Sequence, residues 1–154
     1  MGAIHDHIRS GDIEKVKTVL TNSPEAVNSV DEKGFPALVL ASYNGNDDIT
    51  KLLLEHGADI DQVDSVGNSA LMGVAFKGYV SIATLLLAGG ANPNVSNSLG
   101  HTALIYAAMF GKLDMAKLLK SAGADLNAKD GNGNTAAILA KNQGNEELFQ
   151  LLKE

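Results

Sequence analysis

The sequence has 154 residues, which is long enough for one domain with a sizeable core. Its formal net charge is −6, and the acidic residues are scattered along the chain. A nucleic-acid surface needs clustered Lys and Arg, so we expect no nucleic-acid partner. The chain contains no cysteine, which excludes disulfides, thiolate nucleophiles and thiolate metal sites.

The N-terminal segment, MGAIHDHIRSGD, lacks the apolar run of a signal peptide. No segment approaches the ~20 apolar residues of a membrane span. We therefore expect a cytoplasmic protein with no membrane partner. Ile4 and Ile8 are expected to face the core. The polar residues beside them, His5, Asp6 and Arg9, are expected to face water.

Four glycines recur at a constant interval of 33 residues, at positions 34, 67, 100 and 133. Three of them open similar blocks, which read GFPALVLASYNG, GNSALMGVAFKG and GHTALIYAAMFG. Each block continues into a leucine cluster and a Gly-Ala step. A fixed period of about 20–50 residues is typical of stacked repeat proteins. Such a stack offers an extended binding surface and no single pocket, which favours a binding protein over an enzyme.

The residue pattern of each repeat predicts two short helices and a projecting turn. Thr102 is placed to cap the first helix of the most regular repeat, and Ser69 and Thr135 hold the equivalent positions. Gly111 is predicted to end that helix, and Gly123 the helix after it. The Asn-, Asp- and Gly-rich segment that follows is suited to a turn. Helix pairs are therefore predicted near 36–55, 69–88 and 102–121.

Helices of roughly ten residues are too short to persist alone in water, so adjacent repeats must cover their apolar faces. Leu86 lies in a repeated leucine cluster and is predicted to face the core. The early segment GDIEKVKTVL matches the second-helix segment GKLDMAKLLK. The first 30 residues are therefore predicted to form a partial, capping unit.

These residues resemble the ankyrin repeat family. The likeness rests on the 33-residue period, on G-x-T-A-L followed by A-A and x-x-G, and on two leucines followed by G-A-D-x-N. The segment GHTALIYAAMFGKLDMAKLLKSAGADLNAKD matches nearly throughout, and the likeness covers the whole chain. The resemblance implies an all-α solenoid of stacked helix-turn-helix units with β-turn fingers. It predicts a single domain, 1–154, divided into capping repeats and full repeats: 1–30, 31–63, 64–96, 97–129 and 130–154.

Two features depart from the family pattern. The histidine of the family's T-P-L-H tetrapeptide is replaced at four positions by Val39, Met72, Ile105 and Ile138. We expect apolar contacts in place of the hydrogen bonds attributed to that histidine. Pro36 replaces the capping threonine in the first full repeat, so that helix start is expected to be less ideal.

Two apparent cofactor motifs fit a turn better. Gly131 and Gly133 resemble part of a dinucleotide fingerprint, but that fingerprint needs a preceding strand. Asp130 opens a segment that begins like a calcium loop. Its sixth position is Thr135 where a glycine is needed, and its twelfth is Lys141 where a bidentate Glu is needed. We therefore expect no cofactor and no metal.

The four histidines do not build a catalytic site. His5 and His7 are two positions apart, which places them on different faces of a helix. His56 and His101 lie in different repeats without an obvious carboxylate partner. No Ser-His-Asp set or pair of carboxylates can be assembled. We therefore predict surface histidines and a protein that is not an enzyme.

Asparagines in the turns raise two questions of modification. Asn94 opens a glycosylation sequon, but it shares its repeat position with Asp61 and Asn127, which favours a hydrogen-bonding role in the turn. The segment LKSAGADLNAKD resembles ankyrin segments that are hydroxylated on the turn asparagine, here Asn127. That reading remains an alternative that depends on the host.

The resemblance also implies a binding surface. In the family's geometry, the fingers and the exposed end of the first helix of each repeat line a concave face. The positions carried over are Glu32, Lys33, Phe35, Tyr43, Asn44, Ser65, Val66, Asn68, Phe76, Lys77, Ser98, Leu99, His101, Met109 and Phe110. Tyr43, Phe76 and Met109 form one column at 33-residue spacing, and four of the chain's seven aromatics lie in this set.

Exposed, contiguous aromatics indicate an interaction patch. The sequence therefore predicts a non-catalytic protein–protein interaction module that is a monomer and binds an unidentified protein. Two alternatives stay open: the aromatics hold neighbouring repeats together, or the protein is a structural or self-associating repeat protein.

Overall fold

The computed structural model describes residues 2–153, which form ten α-helices and one 3-10 helix, Pro24–Asn28. The α-helices are α1 (Gly2–Ser10), α2 (Ile13–Asn22), α3 (Ala37–Tyr43), α4 (Asp47–Glu55), α5 (Ala70–Lys77), α6 (Val80–Ala88), α7 (Ala103–Met109), α8 (Leu113–Ser121), α9 (Ala136–Asn142) and α10 (Glu146–Leu152). The predicted helix pairs are confirmed as α3–α4, α5–α6 and α7–α8. Within 2–153, no helix has both the length and the apolar character needed to cross a membrane.

The helices form a stack of two layers. Each odd-numbered helix packs on the next odd-numbered helix, and the even-numbered helices from α2 to α10 pack in the same succession. No strand occurs among the described residues, although isolated antiparallel bridges join Val30 to Pro36 and Lys129 to Thr135. Four turns project between the helix pairs. We name them finger 1 (30–36), finger 2 (63–69), finger 3 (96–102) and finger 4 (129–135).

A continuous apolar core runs along the stack. Leu53 of α4, Leu86 of α6 and Leu119 of α8 are all 0% exposed, which confirms the predicted burial of Leu86. Alanines such as Ala103 and Ala107 are equally buried on the odd-numbered layer. Their small side chains let α7 pack closely against α5 and α9.

Side-chain caps fix where three of the odd-numbered helices begin. The hydroxyl oxygens of Ser69, Thr102 and Thr135 each accept a hydrogen bond from the backbone N–H three residues later, as predicted. Such a cap contributes about 0.5–2 kcal/mol. Pro36 precedes α3 and makes no side-chain cap, which confirms the less ideal start expected there.

Three of the four recurring glycines, at positions 34, 67 and 100, lie in close contacts between consecutive fingers. Gly100 has φ +78°, and a Cβ added there would lie 2.8 Å from the backbone nitrogen of Gly131. Gly67 has φ +91°, and its Cβ would lie 3.0 Å from Cα of Asn97. Only glycine combines this left-handed conformation with so close an approach. The 33-residue period therefore reflects how each finger packs on the next.

Side-chain amides and carboxylates also join consecutive turns. In each of three places, an Oδ1 atom accepts a hydrogen bond from a backbone N–H 31 residues later. These bonds join Asn28 to Asp59 at 2.8 Å, Asp61 to Asn92 at 2.9 Å and Asn94 to Asp125 at 2.7 Å. The hydrogen-bonding role predicted for Asn94 is thus confirmed, while Asn127 is exposed in the next turn.

The prediction that His5 faces water is wrong. His5 is 0% exposed, and its Nε2 donates a hydrogen bond to the carbonyl oxygen of Phe35 at 2.8 Å. Finger 1 folds back over α1, which buries the imidazole and supplies this acceptor. Arg9 stays partly exposed but forms an ion pair with buried Asp31. Asp6 is exposed, as expected.

The remaining histidines and the replaced family histidines follow the predictions only in part. His56 is exposed, whereas His7 and His101 are half-buried. The ring centroid of His101 lies 5.1 Å from that of Tyr106. Val39, Met72 and Ile105 are buried, in agreement with apolar contacts at those positions. Ile138 is 41% exposed, because no further odd-numbered helix covers α9 within the described residues.

Candidate protein-binding face

The fingers are shaped by a column of four acidic or amide residues at 33-residue spacing: Asp31, Asp64, Asn97 and Asp130. In each finger, the Oδ1 atom of this residue accepts the backbone N–H groups two and four positions later. This local bonding closes the turn and fixes the direction of the finger. We call these residues the turn column. The sequence interpretation considered Asp130 only as the start of a possible calcium loop and did not place the column in the fingers, although its constant spacing was visible.

The face that contains the fingers and the exposed ends of α3, α5 and α7 is here called the finger face. None of the fifteen residues predicted to line it is fully buried. Five are half-buried: Phe35, Asn68, Phe76, His101 and Met109. The other ten are exposed: Glu32, Lys33, Tyr43, Asn44, Ser65, Val66, Lys77, Ser98, Leu99 and Phe110.

Three of the predicted aromatics lie together and cross three repeats. The ring of Phe76 stacks on that of Tyr43, with centroids 6.2 Å apart and planes 9° apart. Phe76 also meets Phe110 edge to face, with centroids 4.8 Å apart. Tyr43 is 40% exposed and Phe110 is 47% exposed, while Phe76 lies half-buried between them. We call Tyr43, Phe76 and Phe110 the aromatic row.

Two neighbours modify the aromatic row. The Nζ atom of Lys77 lies 4.7 Å from the ring centroid of Tyr43, within the range of a cation–π contact. Met109 was expected to continue the column after Tyr43 and Phe76, but Phe110 provides the aromatic contact instead. The half-buried Met109 accepts a hydrogen bond at its carbonyl oxygen from Gln143, at 2.7 Å.

A polar network that the sequence did not reveal lies at the base of fingers 2 and 3. The Nδ2 group of Asn97 donates to Oδ1 of Asn68 at 2.9 Å and to the hydroxyl of Tyr106 at 2.8 Å. Burial raises the pKa of Tyr106; the hydrogen bond with Asn97 opposes this shift, and the charge of Asp64 adds to it. The hydroxyl is therefore protonated at neutral pH. Sequence reasoning missed this network because its partners come from separate repeats.

A cavity of about 470 Å³ opens between fingers 1 and 2. The residues that line it include Phe35, Tyr43, Asp64, Val66 and Gly73. Gly73 takes the repeat position that Leu40 and Tyr106 occupy elsewhere, so the missing side chain leaves the space open. We call this space the finger cavity.

The finger cavity lies between two fingers that no backbone hydrogen bond joins among the described residues. Ser98 N–H donates to the carbonyl of Val66 at 3.1 Å, which joins fingers 2 and 3. Gly131 N–H donates to the carbonyl of Leu99 at 3.0 Å, which joins fingers 3 and 4. Fingers 1 and 2 share no backbone hydrogen bond among the described residues. The finger cavity is thus found at the junction that lacks these hydrogen bonds.

The family model for ankyrin repeats, in three copies, matches residues 4–97 and 71–154. Together with the stacked helix pairs and glycine-closed fingers, this match shows that the chain belongs to the ankyrin repeat family. Ankyrin repeats generally mediate binding between proteins.

Several curated proteins are each similar to a part of the chain. NAD-capped RNA hydrolase NUDT12 of Homo sapiens is 40% identical over 55 residues, which is 36% of this chain and 12% of that protein. BTB/POZ domain-containing protein 3 of Schizosaccharomyces pombe is 44% identical over 50 residues, or 32% of this chain and 10% of that protein. Protein phosphatase 1 regulatory subunit 27 of Mus musculus is 38% identical over 55 residues, or 36% of each chain. The similarity thus spans a small part of the relatives named first.

Proposed function

We propose that this protein is a non-catalytic module that binds a protein partner through its finger face. The observation that carries the proposal is the aromatic row, in which Tyr43 and Phe110 stay 40% and 47% exposed although both rings lie against that of Phe76. Exposed contiguous apolar surface is uncommon on monomeric proteins and marks interaction sites. Aromatic side chains are also enriched among the residues that dominate binding energy.

The position of the aromatic row suits a partner that lies across several repeats. Its rings come from α3, α5 and the end of α7, so a partner on the row contacts three repeats at once. The exposed tips of fingers 2 and 3 add Val66 and Leu99 to the same finger face. An aromatic centre within a more polar rim is the usual arrangement of a protein interface.

A footprint of the bound partner tests this proposal. The immobilised protein is used to capture a partner from a lysate of the source organism, and the partner is purified. Hydrogen–deuterium exchange is then compared with and without that partner. We expect slower exchange in fingers 1, 2 and 3 and at the ends of α3, α5 and α7, with α4, α6 and α8 unchanged. Protection confined to the even-numbered helices would contradict the proposal.

Self-association is the second candidate, because the same exposed row is able to bury against another copy of the chain. Light scattering of the purified protein over a range of concentrations separates the two functions. The proposed module remains a monomer at all of them. A dimer that is lost when Tyr43 and Phe110 are both changed to Ala would favour self-association instead.

A further inference from the structure

The aspartates of the turn column use Oδ1 to close their turns, but they differ in what the other carboxylate oxygen, Oδ2, binds. In finger 1, Oδ2 of Asp31 accepts a charged hydrogen bond from the guanidinium of Arg9. In finger 2, Oδ1 of Asp64 accepts the N–H groups of Val66 at 3.0 Å and Asn68 at 2.9 Å. Its Oδ2 has no hydrogen-bond or ion-pair partner among the described residues. One carboxylate oxygen of Asp64 is therefore free on the finger face.

The repeat register explains why Asp64 lacks an internal partner. Arg9 precedes Asp31 by 22 positions, and Tyr43 precedes Asp64 by 21, since the first connection carries one extra residue. Tyr43 thus occupies the place of Arg9 in the next repeat. The chain's own arginine satisfies the first carboxylate, whereas the second belongs to a residue that lines the finger cavity together with Tyr43.

The finger cavity has the chemistry of a guanidinium site. Its walls are mostly apolar, and Asp64 is the charged residue that lines it. A guanidinium is planar and weakly hydrated, stacks on aromatic faces and binds carboxylates through directed N–H groups. A lysine ammonium is more strongly hydrated and fits such walls less well. The ammonium group of Lys77 already contacts the ring of Tyr43. A second cation in the cavity therefore needs the carboxylate of Asp64 as well as this ring.

We propose that the finger cavity receives an arginine side chain of the protein partner. Its aliphatic stem packs against Phe35 and Tyr43, and its guanidinium donates to Oδ2 of Asp64. The inference rests on the proposed protein-binding function and adds the chemistry of one anchor residue. The net charge of −6 is complementary to a basic segment of this kind.

The test uses N-acetyl-arginine N-methylamide as the probe and follows backbone amide shifts by nuclear magnetic resonance. We expect saturable shifts at Val66 and Asn68, whose N–H groups bond to Asp64, with a Kd of about 1 mM for so small a ligand. The neutral analogue N-acetyl-citrulline N-methylamide has nearly the same shape and should bind at least about tenfold more weakly.

Asp64→Asn removes the charge and keeps the turn, because Asn97 builds the equivalent turn of finger 3 with an amide. This variant should bind the arginine probe at least about tenfold more weakly than the parent does. The matched control is Asp130→Asn, which makes the same change in finger 4 and should leave probe binding unaltered.

Three results would overturn the arginine site: equal binding of citrulline, unaltered binding by Asp64→Asn, or no saturation up to about 50 mM probe, roughly 50 times the expected Kd. Because this assay needs no partner, its failure leaves the exchange footprint as an independent test of the protein-binding function.

Discussion

At the scale of single residues, the buried side chains of His5 and Asp31 and the partly exposed side chain of Arg9 join α1 to finger 1. His5 donates to the carbonyl of Phe35, and Arg9 pairs with Asp31 across the same junction. Asp31 is 6% exposed as a whole residue, so the ion pair is partly shielded from solvent. These contacts set the position of Phe35, and therefore one wall of the finger cavity.

The pKa of Asp31 gives a prediction for the pH dependence of stability. Burial raises this pKa, but hydrogen bonds from the N–H groups of Phe35 and Lys33 oppose it. Interactions with His5 and Arg9 act in the same direction as those bonds, and the net result is a pKa below the ordinary value. Ionised Asp31 therefore stabilises the fold above its unfolded pKa of about 3.9, and this contribution is lost as the pH falls through the folded pKa.

Asp31→Asn should remove that contribution. We expect the difference in unfolding free energy between parent and variant to be largest above about pH 5 and to shrink as the pH falls below about 4. Urea titrations at several pH values measure it, with Asp130→Asn as the control for the turn bonds alone. A difference that stays constant down to about pH 2 would show that the charge of Asp31 has no part in it.

At the scale of elements, the sequence predicted what depends on local signals and missed what depends on distant contacts. Thr102 and Gly111 lie within two residues of the ends of α7, so the bounds of this helix could be predicted from the sequence next to it. His5 was misplaced because its acceptor lies 30 residues away. The finger cavity was missed because it depends on a side chain that Gly73 lacks and on how two fingers sit together.

Gly73 provides a prediction about α5. It lies inside the helix, where glycine costs about 0.5–1 kcal/mol relative to alanine. A Cβ at Gly73 would lie 3.3 Å from Cδ1 of Tyr43, so this ring, which is 40% exposed, has to shift by a few tenths of an ångström. Gly73→Ala should therefore stabilise the free protein by about 0.5–1 kcal/mol and narrow the finger cavity.

The matched control is Gly78→Ala at the end of the same helix. Gly78 has φ +83°, so alanine there is strained and should destabilise by about 1 kcal/mol. Urea titration of both variants makes the comparison. If Gly73→Ala destabilises as much as Gly78→Ala, then the ring of Tyr43 is rigidly held and the interpretation of the finger cavity is wrong.

At the scale of the whole molecule, stability resides in contacts between neighbouring repeats. The described α-helices are seven to ten residues long, and in each layer consecutive helices pack on one another along the stack. Helices this short have little stability of their own, so burial between repeats must supply it. A local defect should therefore loosen the units on both sides of it.

Leu86→Ala tests this coupling. Leu86 is 0% exposed, and its truncation should cost about 2–5 kcal/mol. Hydrogen exchange should become faster in α4 and α8, which flank α6, as well as in α6. Leu99→Ala is the control, since Leu99 is 63% exposed and its loss should change stability by no more than about 0.5 kcal/mol. A loss below about 0.5 kcal/mol for Leu86→Ala would refute the burial assigned to it.

Whether the aromatic row serves recognition or folding is decided by measuring stability and partner affinity on the same variants. Tyr43→Ala and Phe110→Ala should each weaken binding by about 2 kcal/mol or more and cost little stability, because both rings are exposed. Phe76→Ala should weaken binding similarly and also cost about 1–2 kcal/mol of stability, since its ring contacts both others. Lys51→Ala on α4, away from the finger face, should leave both quantities nearly unchanged.

If the Tyr43 and Phe110 variants unfold far more easily than the parent yet bind the partner normally once folded, the aromatic row belongs to the packing of the repeats, and the proposed binding face is wrong.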